Sequence, residues 1–178
     1  QLIRQATNVV ILTHLSPDGD AMGSSLAMRL FLESIGKHVA VVVPNAFPDF
    51  LAWMPSANED IIYETQRAEA DSLLDEADLV ICTDFNDPKR IGSLGDKMLS
   101  LSCKKMMIDH HLHPSDFPDL TLSYPSSPST CELVYRLINA LVPLLHGSLT
   151  TDIATCIYTG MMTDTGNFSF NSNYPEMY

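Results

Sequence analysis

Asp109, His110 and His111 stand side by side at the end of the apolar stretch KKMMID, and two clusters of the same character lie upstream. NVVILTHLSPDGD carries His14, Asp18 and Asp20, and DLVICTD ends in Asp84. A further acid, Asp164, closes the helical-looking CIYTGMMTDTG just before Gly166. A single aspartate or histidine at a strand end is commonly a cap or a turn former. Here HxxxDxD and DHH each gather more titratable groups than a turn requires, which points to a site.

Carboxylates within ~4 to 6 Å of one another resist ionisation unless cations enter. Asp18, Asp20, Asp84 and Asp164 carry four negative charges, which two divalent ions match, and imidazoles complete a mixed nitrogen and oxygen donor set. Such donors suit Mn²⁺, Mg²⁺ or Zn²⁺. The cysteines Cys82, Cys103, Cys131 and Cys156 stand singly with no CxxC pair, so they read as reduced structural thiols and argue against structural zinc. Two ions ~3.5 to 4 Å apart activate a water and hold both the attacking and leaving oxygens in phosphoryl transfer. On the residues alone, either His110 or His111 serves as a ligand while its neighbour faces a substrate.

These groups must be carried to one place by the elements that precede them. NVVILT (Asn8 to Thr13), HVAVVVP (His38 to Pro44), DLVICTD (Asp78 to Asp84) and KKMMID (Lys104 to Asp109) are short, continuous apolar runs that read as strands. Helical patterns cover Ala21 to Ser34, Gln66 to Glu76, Leu94 to Leu101, Ser129 to Val142 and Leu149 to Met162. Continuous apolar strands interleaved with helices predict an α/β fold, a mostly parallel sheet with helices on both faces, and a helical C-terminal flank. In such a sheet the carboxyl ends of the strands line one crevice, where distant residues converge. Leu112 to Pro128, with its four prolines, reads as a loop.

Composition narrows the partners. With 178 residues and 46% apolar content the chain can bury the core of one domain. Twenty-two acids against ten Lys plus Arg give a net charge of −12, which repels duplex DNA and requires metal ions for any phosphate-bearing partner. No apolar run approaches the ~20 residues of a membrane span, and the start does not read as a signal peptide, so no membrane partner and a cytoplasmic location are expected.

THLSPDGDAMGS, ICTDFND, DHH and TGMMTDTGNF follow one another between Val9 and Phe170, and in that order they resemble the DHH phosphoesterase superfamily. DGDAMGS, SSPSTCELVYRLI and DTGNFSF are most similar to its branch of oligoribonucleases (nanoRNases) and 3′-phosphoadenosine 5′-phosphate phosphatases. The resemblance implies two Mn²⁺ ions, with His14 and Asp18 on one, Asp20, His110 and Asp164 on the other, and Asp84 bridging both. It leaves His111 facing the substrate and Asp109 orienting an imidazole from behind. It implies that residues 1–178 are a DHH catalytic domain and that a DHHA1-type substrate domain, with a glycine-rich GGGH-like motif and basic residues, follows beyond residue 178. NSNYPEMY shows no clear stop. The expected substrate is short single-stranded RNA or a small nucleotide, with Arg90 and Asn86 of DFNDPKRIG as contacts in this lobe, and the family admits a homodimer. Two other readings compete. A family II-like inorganic pyrophosphatase resembles HxNPDTDS in the first motif, where this chain has THLSPDGDAMGS. A catalytically inert, nucleotide-responsive module would be expected to lose a ligand, whereas the set here is complete. Trp53 reads as a packing anchor and His113 as a loop residue.

Overall fold

Side chains alternate across a strand, so a strand covered on both faces needs apolar residues at every position. The chain does this in its central strands. In the computed structural model, which describes residues 1–170, Val9 and Ile11 enter one core cluster while Val10 and Leu12 enter a second on the opposite face. Their strand, β1 (Asn8–Leu12), is joined by β2 (His38–Val43), β3 (Ile61–Ile62), β4 (Leu79–Thr83), β5 (Lys104–Asp109) and β6 (Leu120–Ser123). The sheet order is β3-β2-β1-β4-β5-β6, and every neighbouring pair is parallel.

The helices are α1 (Leu2–Gln5), α2 (Gly19–Ser34), α3 (Arg67–Asp75), α4 (Ser93–Ser100), α5 (Thr130–Leu145) and α6 (Thr151–Asp164). Buried residues of α2, α5 and α6 share the first core cluster, and those of α3 and α4 share the second. The expected C-terminal flank is thus the layer that covers one face of the sheet together with α2.

The differences from the sequence reading are local. Leu112 to Pro128 is not all loop: LTLS forms β6, an edge strand held between Pro118 and Pro125, where a proline costs no ladder bond. β3 is too short to leave a pattern. α5 runs past Pro143 to Leu145 and closes at His146, whose φ of 57° is left-handed. Trp53 is 62% exposed, and Leu51, Met54 and Ala57 do the packing in that segment. Residues 171–178, NSNYPEMY, lie outside the described residues. No helix among the described residues is long and apolar enough to cross a membrane.

β1 and β4 are neighbours although β2 and β3 intervene in the chain. Strand order reverses direction between them, and the crevice at their carboxyl ends is the place where open α/β sheets put their ligands.

Candidate metal centre

His14 follows β1 and Asp84 follows β4, so both stand at that crevice. Nδ1 of His14 lies 2.8 Å from the Leu15 carbonyl, which can only accept, so this nitrogen carries the proton. Nε2 then faces Asp84 Oδ2, 3.5 Å away, and Asp18 Oδ1, 3.8 Å away. Asp18 is also the cap of α2, accepting from the N–H groups of Asp20 and Ala21 at 3.0 Å each. The capping role and the site role coexist, because Oδ2 takes neither of those bonds.

Asp84 is almost wholly buried and sits at φ 64°, in the left-handed region. Such a conformation costs a non-glycine residue about 1–3 kcal/mol and collects at functional sites. Its second oxygen, Oδ1, lies 3.7 Å from Nε2 of His110. The same Nε2 is 3.5 Å from Asp164 Oδ2 and 3.9 Å from Asp20 Oδ2. Nδ1 of His110 is satisfied by the Ser127 carbonyl at 3.1 Å, which frees Nε2 in the same way as in His14.

Asp20 and Asp164 meet because α2 and α6 pack unusually close. A Cβ on Gly23 would stand 2.5 Å from the Cys156 carbonyl oxygen, and one on Gly160 would meet the Asp20 Cα at 3.1 Å. Asp20 is then gripped by the first turn of α5: Thr130 N donates to Oδ2 at 2.6 Å and Cys131 N to Oδ1 at 2.9 Å. Asp164 has no such help. It is the last residue of α6, where the helix dipole disfavours a negative charge.

The three consecutive residues of DHH divide the work. His110 points into the cluster, while Asp109, fully buried, turns back on His111: Oδ1 accepts from its Nδ1 at 2.7 Å and Oδ2 from its backbone N–H at 2.8 Å. His111 Nδ1 also lies 3.8 Å from Asp84 Oδ1, but its bond to Asp109 removes it as a donor to an ion. Nε2 of His111 remains, on a ring one-third exposed.

The electrostatics of the cluster favour added positive charge. Burial pushes Asp20 far above the usual carboxylate range, and the charges of Asp84 and Asp164 push it further. Burial likewise raises Asp164, reinforced by Asp84 and only partly opposed by His110. Burial works against a charge on His14, but Asp18 and Asp84 outweigh it and hold the imidazolium to about 10. Burial would raise Asp18 too, yet His14 and the N–H groups at the helix start pull it down to about 2. In the protein alone, a proton on His14 stands where positive charge is needed, and Asp20 and Asp164 resist ionisation. Three donor sets, His14–Asp18–Asp84, Asp20–His110–Asp164 and Asp84–His110–His111, each bring their ligand atoms within 4.8 Å of one another. Two of these sets share Asp84 and two share His110, and oxygen and imidazole donors of this kind fit divalent cations.

Arg90 and Asn86 lie just beyond Asp84. Arg90 belongs to a 3₁₀ turn, Pro88–Ile91, whose Arg90 carbonyl accepts from Leu15 N at 2.8 Å, tying it to the loop that bears His14. The Asn86 amide donates to the Leu112 carbonyl at 2.5 Å, which leaves Oδ1 for a ligand. Residues not singled out as functional from sequence include Lys89, Ser127 and Thr130. A signal for the last two was present: Ser129 and Glu132 are spaced as a capping box, and Ser129 Oγ accepts from Glu132 N at 3.1 Å.

Fold and site define an α/β domain with an acidic, imidazole-bearing centre at its switch point, suited to divalent cations. The chain belongs to the DHH family: the model of the DHH family N-terminal domain matches residues 8–161. It is similar to the bifunctional oligoribonuclease and PAP phosphatase NrnA of Thermus thermophilus, 32% identical over 169 residues, which are 95% of this chain and 47% of that protein. The crystal structure of an exopolyphosphatase-related protein from Bacteroides fragilis superposes with a TM-score of 0.95 at 48% identity, covering 99% of this chain and 52% of that one. Exonuclease RecJ bound to manganese shares the fold, with a TM-score of 0.61 at 16% identity over 96% of this chain and 43% of its own. The chain spans about half the length of the relatives it matches.

Proposed function

We propose that this chain is the metal-binding part of a phosphohydrolase that degrades short oligoribonucleotides, removes phosphate from 3′-phosphoadenosine 5′-phosphate, or both. The observation that carries the proposal is the placement of Asp84, one oxygen toward His14 and the other toward His110, at the meeting of two donor sets. In this reading His14, Asp18 and Asp84 hold one Mn²⁺, and Asp20, His110, Asp164 and Asp84 hold the other. Bound there, the pair supplies charge neutralisation and an activated water for attack on phosphorus.

The chain's own residues do the rest. Asp109 fixes the His111 ring with its Nδ1 proton inward, so that Nε2 is left for the substrate and, on the doubly protonated ring, donates to a phosphate oxygen or to the leaving oxygen. Positive charge for a second phosphate is available on one turn. Arg29, Arg67, Lys97, Lys104 and Arg136 are paired with acids, and Arg4, Lys37 and Lys105 with carbonyls. The side chains of Lys89 and Arg90 have no hydrogen-bond or ion-pair partner among the described residues, and both follow β4 and Asp84 directly. A cytoplasmic location accords with substrates of this kind.

The test is a side-by-side assay of di-adenylate, 3′-phosphoadenosine 5′-phosphate and pyrophosphate with Mn²⁺. Cleavage of either nucleotide substrate supports the reading. Phosphate release from pyrophosphate alone replaces it with an inorganic pyrophosphatase, and silence on all three, with Mn²⁺ bound, favours a module that binds without turnover.

A further inference from the structure

Buried hydroxyls in these helices mostly bond one turn back within their own helix, as Ser24 does to the Ala21 carbonyl, Ser25 to that of Met22 and Thr159 to that of Thr155. Thr130 does otherwise. It is the first residue of α5, fully buried, with no helical carbonyl behind it, and its hydroxyl meets Asp84 Oδ1 at 2.9 Å. An ionised carboxylate only accepts, so the hydroxyl donates.

The same short stretch touches two more members of the centre. The backbone N–H groups of Thr130 and Cys131 take the two oxygens of Asp20, and the carbonyl of Ser127 takes Nδ1 of His110. The stretch is itself braced: Ser129 caps the helix through Glu132 N, Ser127 Oγ donates to Glu132 Oε2 at 2.5 Å, and Glu132 pairs with Arg136. A β-branched side chain here has few rotamers, and the one adopted aims the hydroxyl at Asp84.

We infer that Thr130 is a positioning residue for Asp84, fixing the plane of its carboxylate so that Oδ1 faces His110 while Oδ2 faces His14. The inference rests on the two-metal reading above. Without the hydroxyl, a buried acceptor loses its donor and the carboxylate is free to turn about its last bond, which blurs the division of its oxygens between the two donor sets.

The experiment is Mn²⁺ titration calorimetry with electron paramagnetic resonance on the whole 178-residue chain, in the wild type, Thr130→Val and Thr130→Ser. Valine keeps the shape and removes the hydroxyl, while serine keeps the hydroxyl. The expected result is a folded valine variant that binds Mn²⁺ about ten- to a hundredfold more weakly and loses the spectrum of a coupled ion pair. The serine variant is expected to recover both. A folded Thr130→Val with wild-type affinity and spectrum overturns the inference, and so does a folded Thr130→Ser that binds as poorly as valine. If valine prevents folding, Thr130→Ala takes its place against the same outcomes. A wild type that takes up no Mn²⁺ sinks the two-metal reading itself, and the inference with it.

Discussion

Asp84 Oδ2 and His14 Nε2 face each other at 3.5 Å across the ends of β4 and β1, two strands that the chain visits with β2 and β3 between them. Asp84 holds its place in a left-handed backbone, a cost that stability alone gives no reason to bear. In the function proposed above, a shared cation supplies the reason. Mn²⁺ at a hundredfold excess over its dissociation constant is expected to stabilise the fold by about 2.7 kcal/mol, which raises Tm by about 5–10 °C in a chain of this size. Asp84→Asn is the clean disruption, because asparagine tolerates the left-handed conformation where alanine does not. Its melting curve should barely respond to Mn²⁺ against chelator, and a full response would remove Asp84 from the centre.

The cation response should grow with pH. His14 is raised from 6.5 to about 10 in the folded chain, so by itself it contributes stability below pH 6.5 that is lost as pH rises through 10. Asp18, lowered to about 2, contributes stability above its unfolded value that is lost as pH falls through 2. Asp20 is raised, so its ionisation is a cost to the cation-free fold above its unfolded value. A bound cation must displace the His14 proton across the whole range from pH 5 to 8, and protons from Asp20 and Asp164 where these are still held. Apparent affinity for Mn²⁺ should therefore rise by about tenfold per pH unit from His14 alone. Melting temperatures with and without Mn²⁺ at several pH values read this directly, and a flat difference would contradict it.

The strands, and the acids and histidines that gather at the crevice, are legible because their signals are short in range: an apolar run followed by Asp or His needs no knowledge of the rest of the chain. β5 spans the same residues as the stretch KKMMID that announces it. What escapes depends on tertiary partners. LTLS, a half-exposed edge strand, becomes a strand only because β5 offers it a ladder, and Trp53 reads as an interior residue by its type although Leu51 and Met54 already fill that space. Within the centre, DHH alone does not say which histidine turns inward. That is decided by Ser127 and Asp109 claiming the two Nδ1 atoms.

Asp109→Asn separates chemistry from cation binding. The asparagine side chain would retain the shape at a fully buried position but would accept the His111 proton through one oxygen only, with an amide where the other oxygen stood. Turnover of the preferred nucleotide is expected to fall by about a hundredfold or more, while the Mn²⁺-induced rise in Tm persists. Loss of both together would place Asp109 in the cation site instead.

Lys89→Ala and Arg90→Ala should act on binding rather than on the reacting phosphate. Each removes a charged donor from the turn after Asp84. If both grip a second phosphate, KM for 3′-phosphoadenosine 5′-phosphate rises by about tenfold or more per substitution, kcat changes little, and the effect shrinks in high salt. Equal effects on kcat and kcat/KM would move the turn to the transition state.

Gly23→Ala tests whether the close approach of α2 and α6 is what delivers Asp20 and Asp164 to the same imidazole. The added methyl would stand 2.5 Å from the Cys156 carbonyl oxygen, and that atom belongs to backbone in the middle of α6, so it cannot swing aside as a side chain would. The two helices must separate. Overpacking of this kind costs about 1–3 kcal/mol, or about 2–12 °C in Tm. Because Asp164 lies at the end of the displaced helix, the variant should also lose part of its response to Mn²⁺, whereas a destabilising change in the opposite layer, such as Leu74→Ala under α3, should lower Tm and leave that response intact. The contrast between the two variants separates a general loss of stability from a loss of the geometry that brings the acids together.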